Sequence, residues 1–150
     1  MKIEEEIRRL ADLEAIRDLA RRYAHCVWQR DATGCIALFT DDAVMDTGDG
    51  PPIVGRKDLL ASYDAIFSAA ELNPMVHNHV IELDGDRAAG HCYLDLRATT
   101  PDAPMKGHGF YADEYVRTPE GWKFAARRLS MSDYGAVGGG EAGGKESGSQ

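Results

Sequence analysis

The chain has 150 residues, 43% of them hydrophobic, and a formal net charge of −8. That length suits one domain with a real core, and the acidic balance excludes a surface built to neutralise nucleic-acid phosphates. No apolar run reaches the roughly 18 residues of a membrane-spanning helix, so neither nucleic acid nor membrane is expected as a partner. The start, MKIEEEIRRL, is charged rather than a basic, apolar leader. Cys26, Cys35 and Cys92 show no paired spacing and leave one odd thiol, which suits a reducing, cytoplasmic setting.

In chain order, Ile3, Ile7, Leu10, Leu13, Ile16, Ala20, Tyr23 and Val27 recur at helical spacing and predict one long first helix. RDATG breaks it, CIALFT reads as a short second helix, and DDAVMDTG changes to a strand before the loop DGPPIVG. RKDLLASYDAIFSAA is again helical, with Leu59, Leu60, Tyr63, Ile66 and Phe67 turned to the core. After Pro74 the segments MVHNHVIEL, RAAGHCYLDLRATT, KGHGFYADEYVRT and GWKFAARRLSM read as strands separated by DGD, PDAP and PEG. Helices first and consecutive strands afterwards predict an α+β domain with helices covering a curved, mostly antiparallel sheet. The domain is placed at residues 1–134, and the Gly-rich 135–150 is expected to be a disordered tail.

Three of the five histidines cluster in VHNHVIELDGDRAAGHC. Alternation puts His77, His79, Ile81 and Leu83 on one face. An even-numbered turn continues that face through Ala88, Gly90, Cys92, Leu94 and Leu96 and sends His91, Tyr93, Asp95 and Arg97 to the other; it gives the cleaner partition. His77 and His79 are then an inward pair. Two imidazoles with Cys92 as the one nearby third ligand make a poor metal site, so no metal is expected; hydrogen-bonded wall residues or acid–base groups remain.

The pieces RYAHCVWQRDATGCIALFTDDAVMD, LDGDRA, YADEYVR and GWKF follow one another in the order and spacing of the SnoaL-like polyketide cyclase family, within the nuclear-transport-factor-2-like superfamily, which residues 5–132 resemble. The resemblance implies a cone-shaped α+β barrel, its sheet covered by the long N-terminal helix and two shorter ones, with an apolar pocket. It implies an isomerase, dehydratase or cyclase working on a small apolar, often cyclic substrate without a cofactor, and pairing of two copies into a homodimer. Dehydratase-like members use an Asp–His dyad; those positions fall on Trp28 and Pro74 here. The ketosteroid-isomerase-like pattern, a helix tyrosine with a protonated late-strand acid, places its donors at Tyr23 and Asp113 and its base at Thr47, next to Asp46.

The candidate catalytic residues are therefore Tyr23, His77, His79, Asp113 and Asp46. Val27, Trp28, Phe39, Cys92, Leu94, Leu96, Tyr111 and Tyr115 are the candidate substrate contacts. Each has a plainer reading beside it. Tyr23 lies on the apolar stripe and can be a core residue, and Asp113 can be a carboxylate paired with Arg127 or Arg128 from the neighbouring strand. Asp31, Asp41 and Asp42 suit helix ends and turns. His25, about 200° round the helix from Tyr23, is expected to be exposed, and His108 to face away from Tyr111 and Asp113. Loss of both dyad positions leaves a second function class open: a ligand-binding or assembly protein that kept the cone without its chemistry.

Overall fold

Glu4, Glu5 and Glu6 occupy the first turn of helix α1, Ile3–Trp28, where carboxylates complement the positive end of the helix dipole. The computed structural model describes residues 2–138. Helix α2 is Ala32–Ile36 and α3 is Arg56–Ala69; the strands are β1 Phe39–Asp46, β2 Ile53–Val54, β3 Glu71–Asp84, β4 Arg87–Thr99, β5 Pro104–Thr118 and β6 Gly121–Ala136. They form one six-stranded sheet in the order β2-β1-β6-β5-β4-β3. β1 runs parallel to β6, and every other neighbouring pair is antiparallel. The architecture is the expected α+β one, but the curved sheet is not closed into the expected barrel: β2 and β3 are its two open edges.

Several boundaries differ from the sequence reading for local reasons. The second helix starts inside the expected break, because the Asp31 side chain accepts from the Gly34 N–H at 2.9 Å and caps it; Phe39 and Thr40 already belong to β1. β3 begins three residues before Pro74 rather than after it. An edge strand tolerates proline, whose missing N–H can face away from the ladder. β6 runs on to Ala136, past the expected domain end at 134; the rest of the expected tail, from 139 onward, lies outside the described residues. The stripe on α1 is buried only from Leu13, while Ile3, Ile7 and Leu10 are 74%, 60% and 53% exposed. Asp12 marks the last hold on the sheet. Arg117 Nη1 and Nη2 donate to its two oxygens at 2.8 and 2.7 Å, and Trp122 Nε1 donates at 3.1 Å. These bonds hold the Asp12 carboxyl below the usual carboxylate range.

The core lies between the inner sheet face and the helices: Ile16, Leu19, Tyr23 and Val27 of α1 and Leu59, Tyr63 and Phe67 of α3 meet Phe39, Cys92, Leu94, Tyr111, Tyr115 and Phe124. The β3–β4 hairpin has the two-residue turn Gly85–Asp86, with Gly85 at φ 62°, a value glycine adopts freely. The even turn produces the expected partition, with Ala88, Cys92 and Leu94 buried and His91, Tyr93 and Asp95 exposed. Among the described residues, no helix is long and apolar enough to cross a membrane.

Candidate active site

A cavity of about 210 Å³ opens between α1, α3 and the inner sheet face. It is larger than the roughly 150 Å³ space known to hold benzene in an engineered core. Its walls are apolar, with Val27, Met45, Ile66, Phe67, Leu72, Pro74, Leu96, Leu129 and Met131 contributing most of the surface. Polar groups are few: the phenols of Tyr23, Tyr63 and Tyr111, then Thr47, Asp49 and Tyr134, of which Asp49 and Tyr134 are exposed.

Tyr23 comes from α1 and Tyr63 from α3, each on the buried stripe of its helix, and their hydroxyl oxygens are 2.6 Å apart. Burial raises both phenols well above the ordinary tyrosine value, so both keep their protons at neutral pH. One proton is used between them. The other hydroxyl hydrogen has no acceptor among the described residues and is free for an oxygen atom in the cavity. Burial also pushes Tyr111 up to about 12. Asp49, on the loop after β1, is the one carboxylate among the cavity's described lining residues.

Behind the Tyr111 wall lies a buried ion pair. Arg127 Nε donates to Asp113 Oδ1 at 2.7 Å, Arg127 Nη2 to Oδ2 at 3.0 Å, and the Tyr115 hydroxyl to Oδ2 at 2.9 Å. Every contact made to Asp113 is a donor, so the carboxyl is an acceptor and ionised. The expectation of a protonated Asp113 donating to substrate is thereby corrected: the paired reading holds, with Arg127 rather than Arg128 as partner. Arg128, on the opposite face, instead reaches Glu114 at 3.0 Å. The Arg127 guanidinium sits 3.6 Å from the Tyr111 ring centre, 4.2 Å from Phe124 and 4.5 Å from Tyr23. Rings around a desolvated cation add cation–π attraction. Desolvation works most strongly against its charge, but Asp113, Tyr111 and Tyr23 together raise the guanidinium pKa.

The histidines separate. A bulge between Val76 and His79 gives β3 an extra residue opposite β4, and this reverses the alternation on which the inward pair depended. Val76, Pro74 and Leu72 turn inward, while His77 turns out and pairs with Asp95 at 3.3 Å. His79 stays half-buried, its Nε2 2.8 Å from the Tyr115 hydroxyl, and lies outside the cavity. Burial lowers its pKa below the ordinary histidine value. Among the described residues no three His, Cys, Asp or Glu side chains gather as a metal ion would require.

Of the other candidates, Tyr23, Val27, Leu96 and Tyr111 line the cavity. Phe39, Leu94 and Tyr115 are buried behind its walls, and Cys92, which burial pushes up to about 11, is buried beneath the α1–β3 seam. Asp46 accepts from the Gly48 N–H at 2.9 Å while its neighbours Met45 and Thr47 line the cavity, so strand alternation keeps it off that surface. Trp28 does not form the expected flat wall. It is 47% exposed, and its indole N–H donates to the Pro74 carbonyl at 2.6 Å. The two positions where dehydratase-like relatives would carry their dyad are thus joined by a structural hydrogen bond between α1 and β3. His25 and His108 are exposed, as alternation and helical spacing predicted.

Tyr63, Asp49 and Tyr134 were missed as site residues. Tyr63 was legible as core-facing, and a hydroxyl opposite Tyr23 on a second apolar stripe was the available signal. Asp49 sits in a loop, where no periodicity reports direction, and Tyr134 ends the region read as ordered.

The model of the SnoaL-like domain matches residues 8–128. A function-unknown protein of Mycobacterium tuberculosis, Rv3472, shares 26% identity over 88% of this chain and 77% of its own, with a TM-score of 0.78. A protein of Kribbella flavida shares 26% over 83% of this chain and 93% of its own, with a TM-score of 0.78. The hexachlorocyclohexane dehydrochlorinase LinA type 2 shares the fold at 20% identity and a TM-score of 0.83, over 89% of this chain and 94% of its own. No curated protein matches the chain. With the family model covering most of the chain, this protein belongs to the SnoaL-like domain family.

Proposed function

We propose that the protein is an isomerase- or lyase-type enzyme that shifts a proton next to a carbonyl or hydroxyl on a small apolar, cyclic molecule, using side chains alone. The carrying observation is the Tyr23–Tyr63 hydroxyl pair, 2.6 Å apart in the wall of a mostly apolar cavity. In such surroundings a hydrogen-bond donor aimed at a developing oxyanion is worth far more than in water. The exposed Asp49 carboxylate takes the proton from the carbon between the carbonyl and the double bond of a β,γ-unsaturated ketone and returns it to the γ-carbon of the conjugated dienolate, while the free tyrosine proton holds the enolate oxygen. The family membership and a dehydrochlorinase among the structural neighbours support proton-abstracting chemistry as the general class.

The test is proton–deuterium exchange at the saturated α-carbon of a small cyclic β,γ-unsaturated ketone in deuterated water, followed by NMR. Wild-type protein is expected to accelerate exchange, Asp49→Asn to lose most of it, and the Tyr23→Phe, Tyr63→Phe double variant, which leaves neither hydroxyl, to lose about 10²–10³-fold, as for removal of one oxyanion donor. Saturable binding of phenol, an enolate mimic, with no exchange of any such ketone favours the second reading, a binding protein. The observation behind that reading is the Trp28–Pro74 bond at the dyad positions. A homodimer through the outer sheet face belongs to the same proposal. Val80 and Tyr93 are 59% and 38% exposed there, next to Phe110, which Tyr93 and His91 both flank. A monomer mass by light scattering at several concentrations would remove that part. Three free thiols suit a cytoplasmic protein.

A further inference from the structure

A second depression, of about 170 Å³, lies outside the cone where α1 crosses the β3 bulge. It shares no lining side chain with the cavity. Arg17 and Arg21, one helical turn apart, form one side; His77, His79 and Val76 form the other, with Ala20 and Cys92 at its base. No carboxylate lines it, which is distinctive on a chain of net charge −8. Arg21 is held by Glu14 on its own helix and His77 by Asp95 on β4, whereas Arg17 makes no ion pair among the described residues.

The hydrogen bonds behind His79 decide its tautomer. Tyr115 spends its one proton on Asp113 Oδ2, which already serves Arg127 and can only accept. The Tyr115 oxygen must therefore receive the His79 Nε2–H at 2.8 Å. The neutral ring is left with a bare Nδ1, and on protonation Nδ1–H becomes a new donor. Arg17 and Arg21 on α1, and Arg127 behind, oppose that protonation, as burial does; Asp113 favours it. His77 on β3 and Cys92 on β4 complete the ionisable groups facing the ring. An anion between the arginines would cancel their opposition.

We propose that this groove binds a small oxyanion, a carboxylate or a phosphate, between Arg17 and Arg21, with His79 taking up a proton through Nδ1 as the anion binds. This reading is independent of the enzyme proposed for the cavity. Charge-assisted bonds from guanidinium groups match the planar or tetrahedral oxygens of either anion, and binding tightens as pH falls through the His79 titration.

The test follows the His79 ring by NMR in the full chain across pH, with inorganic phosphate in one arm and acetate in the other. The titration point is expected to rise by about 1 unit, equivalent to about tenfold tighter binding to the protonated ring. A rise with phosphate alone or acetate alone supports the site and names its ligand. Arg17→Gln with Arg21→Gln, both exposed positions, is expected to abolish the rise, and Glu14→Gln, which frees Arg21, to enlarge it. No rise with either anion, or an equal rise in the double variant, overturns the proposal.

Discussion

The cone cavity and the α1–β3 groove lie on either side of one buried ion pair and are built from opposite materials. The cavity is lined by apolar side chains and by phenols whose protons burial holds tightly. The groove carries two guanidinium groups and the His79 imidazole, which loses its proton more readily than usual. Asp113 serves both. Through Arg127 it sets a cation against Tyr111 and Tyr23, and through Tyr115 it fixes the orientation of His79. A low dielectric rewards a donor that keeps its proton on one side, and a wetter surface permits a switchable one on the other. The same Tyr23 and Asp113 that the sequence suggested as partners are thus divided between the cavity wall and its support.

The largest effect should come from removing that shared support. Asp113→Asn leaves Arg127 charged and unpaired in the core, at an expected cost of about 3–5 kcal/mol in urea unfolding. Replacing both partners with apolar residues, Asp113→Leu with Arg127→Met, should cost less than either single change, since no buried charge remains. If the double variant is instead the least stable, the pair supports the fold by more than mutual neutralisation.

A smaller, one-sided effect is expected at the cavity. Tyr63→Phe strands the Tyr23 hydroxyl and should cost about 1–3 kcal/mol, with the Tyr23→Phe, Tyr63→Phe double variant nearer to wild type. Phenol affinity should fall in the double variant, which leaves neither hydroxyl, while the His79 titration stays where it was. A moved His79 titration would mean that the two sites are coupled through the ion pair.

The smallest effect is the pH dependence set by the groove. Folding keeps His79 neutral to a lower pH than the ordinary value of 6.5. Between 6.5 and that lowered value the unfolded chain binds more protons, so stability declines as pH falls through this window and levels off below it. His79→Gln should flatten that slope in urea midpoints measured across the window, leaving the cavity variants' behaviour intact. An unchanged slope would assign it to other groups.

The sequence by itself carried the α+β class and the order of the elements except β2, which fell in the expected loop, because helical and alternating spacing report which face of each element is apolar; the family came from the resemblance of its motifs. It also carried the even hairpin turn, since Gly85 and the partition of β4 agree on it, and the buried face shared by Tyr111, Asp113 and Tyr115. Tertiary structure decided the rest. One extra residue in β3 turned His77 outward and separated it from His79, and a bulge leaves no clear trace in a periodic pattern. The charge state of Asp113 depended on a strand register that brought Arg127, not Arg128, beneath it. Tyr63 and Asp49 entered the cavity because a second helix and a loop close over the sheet. Periodicity says which side of an element is buried, but only the packing of separate elements says which buried groups share a space.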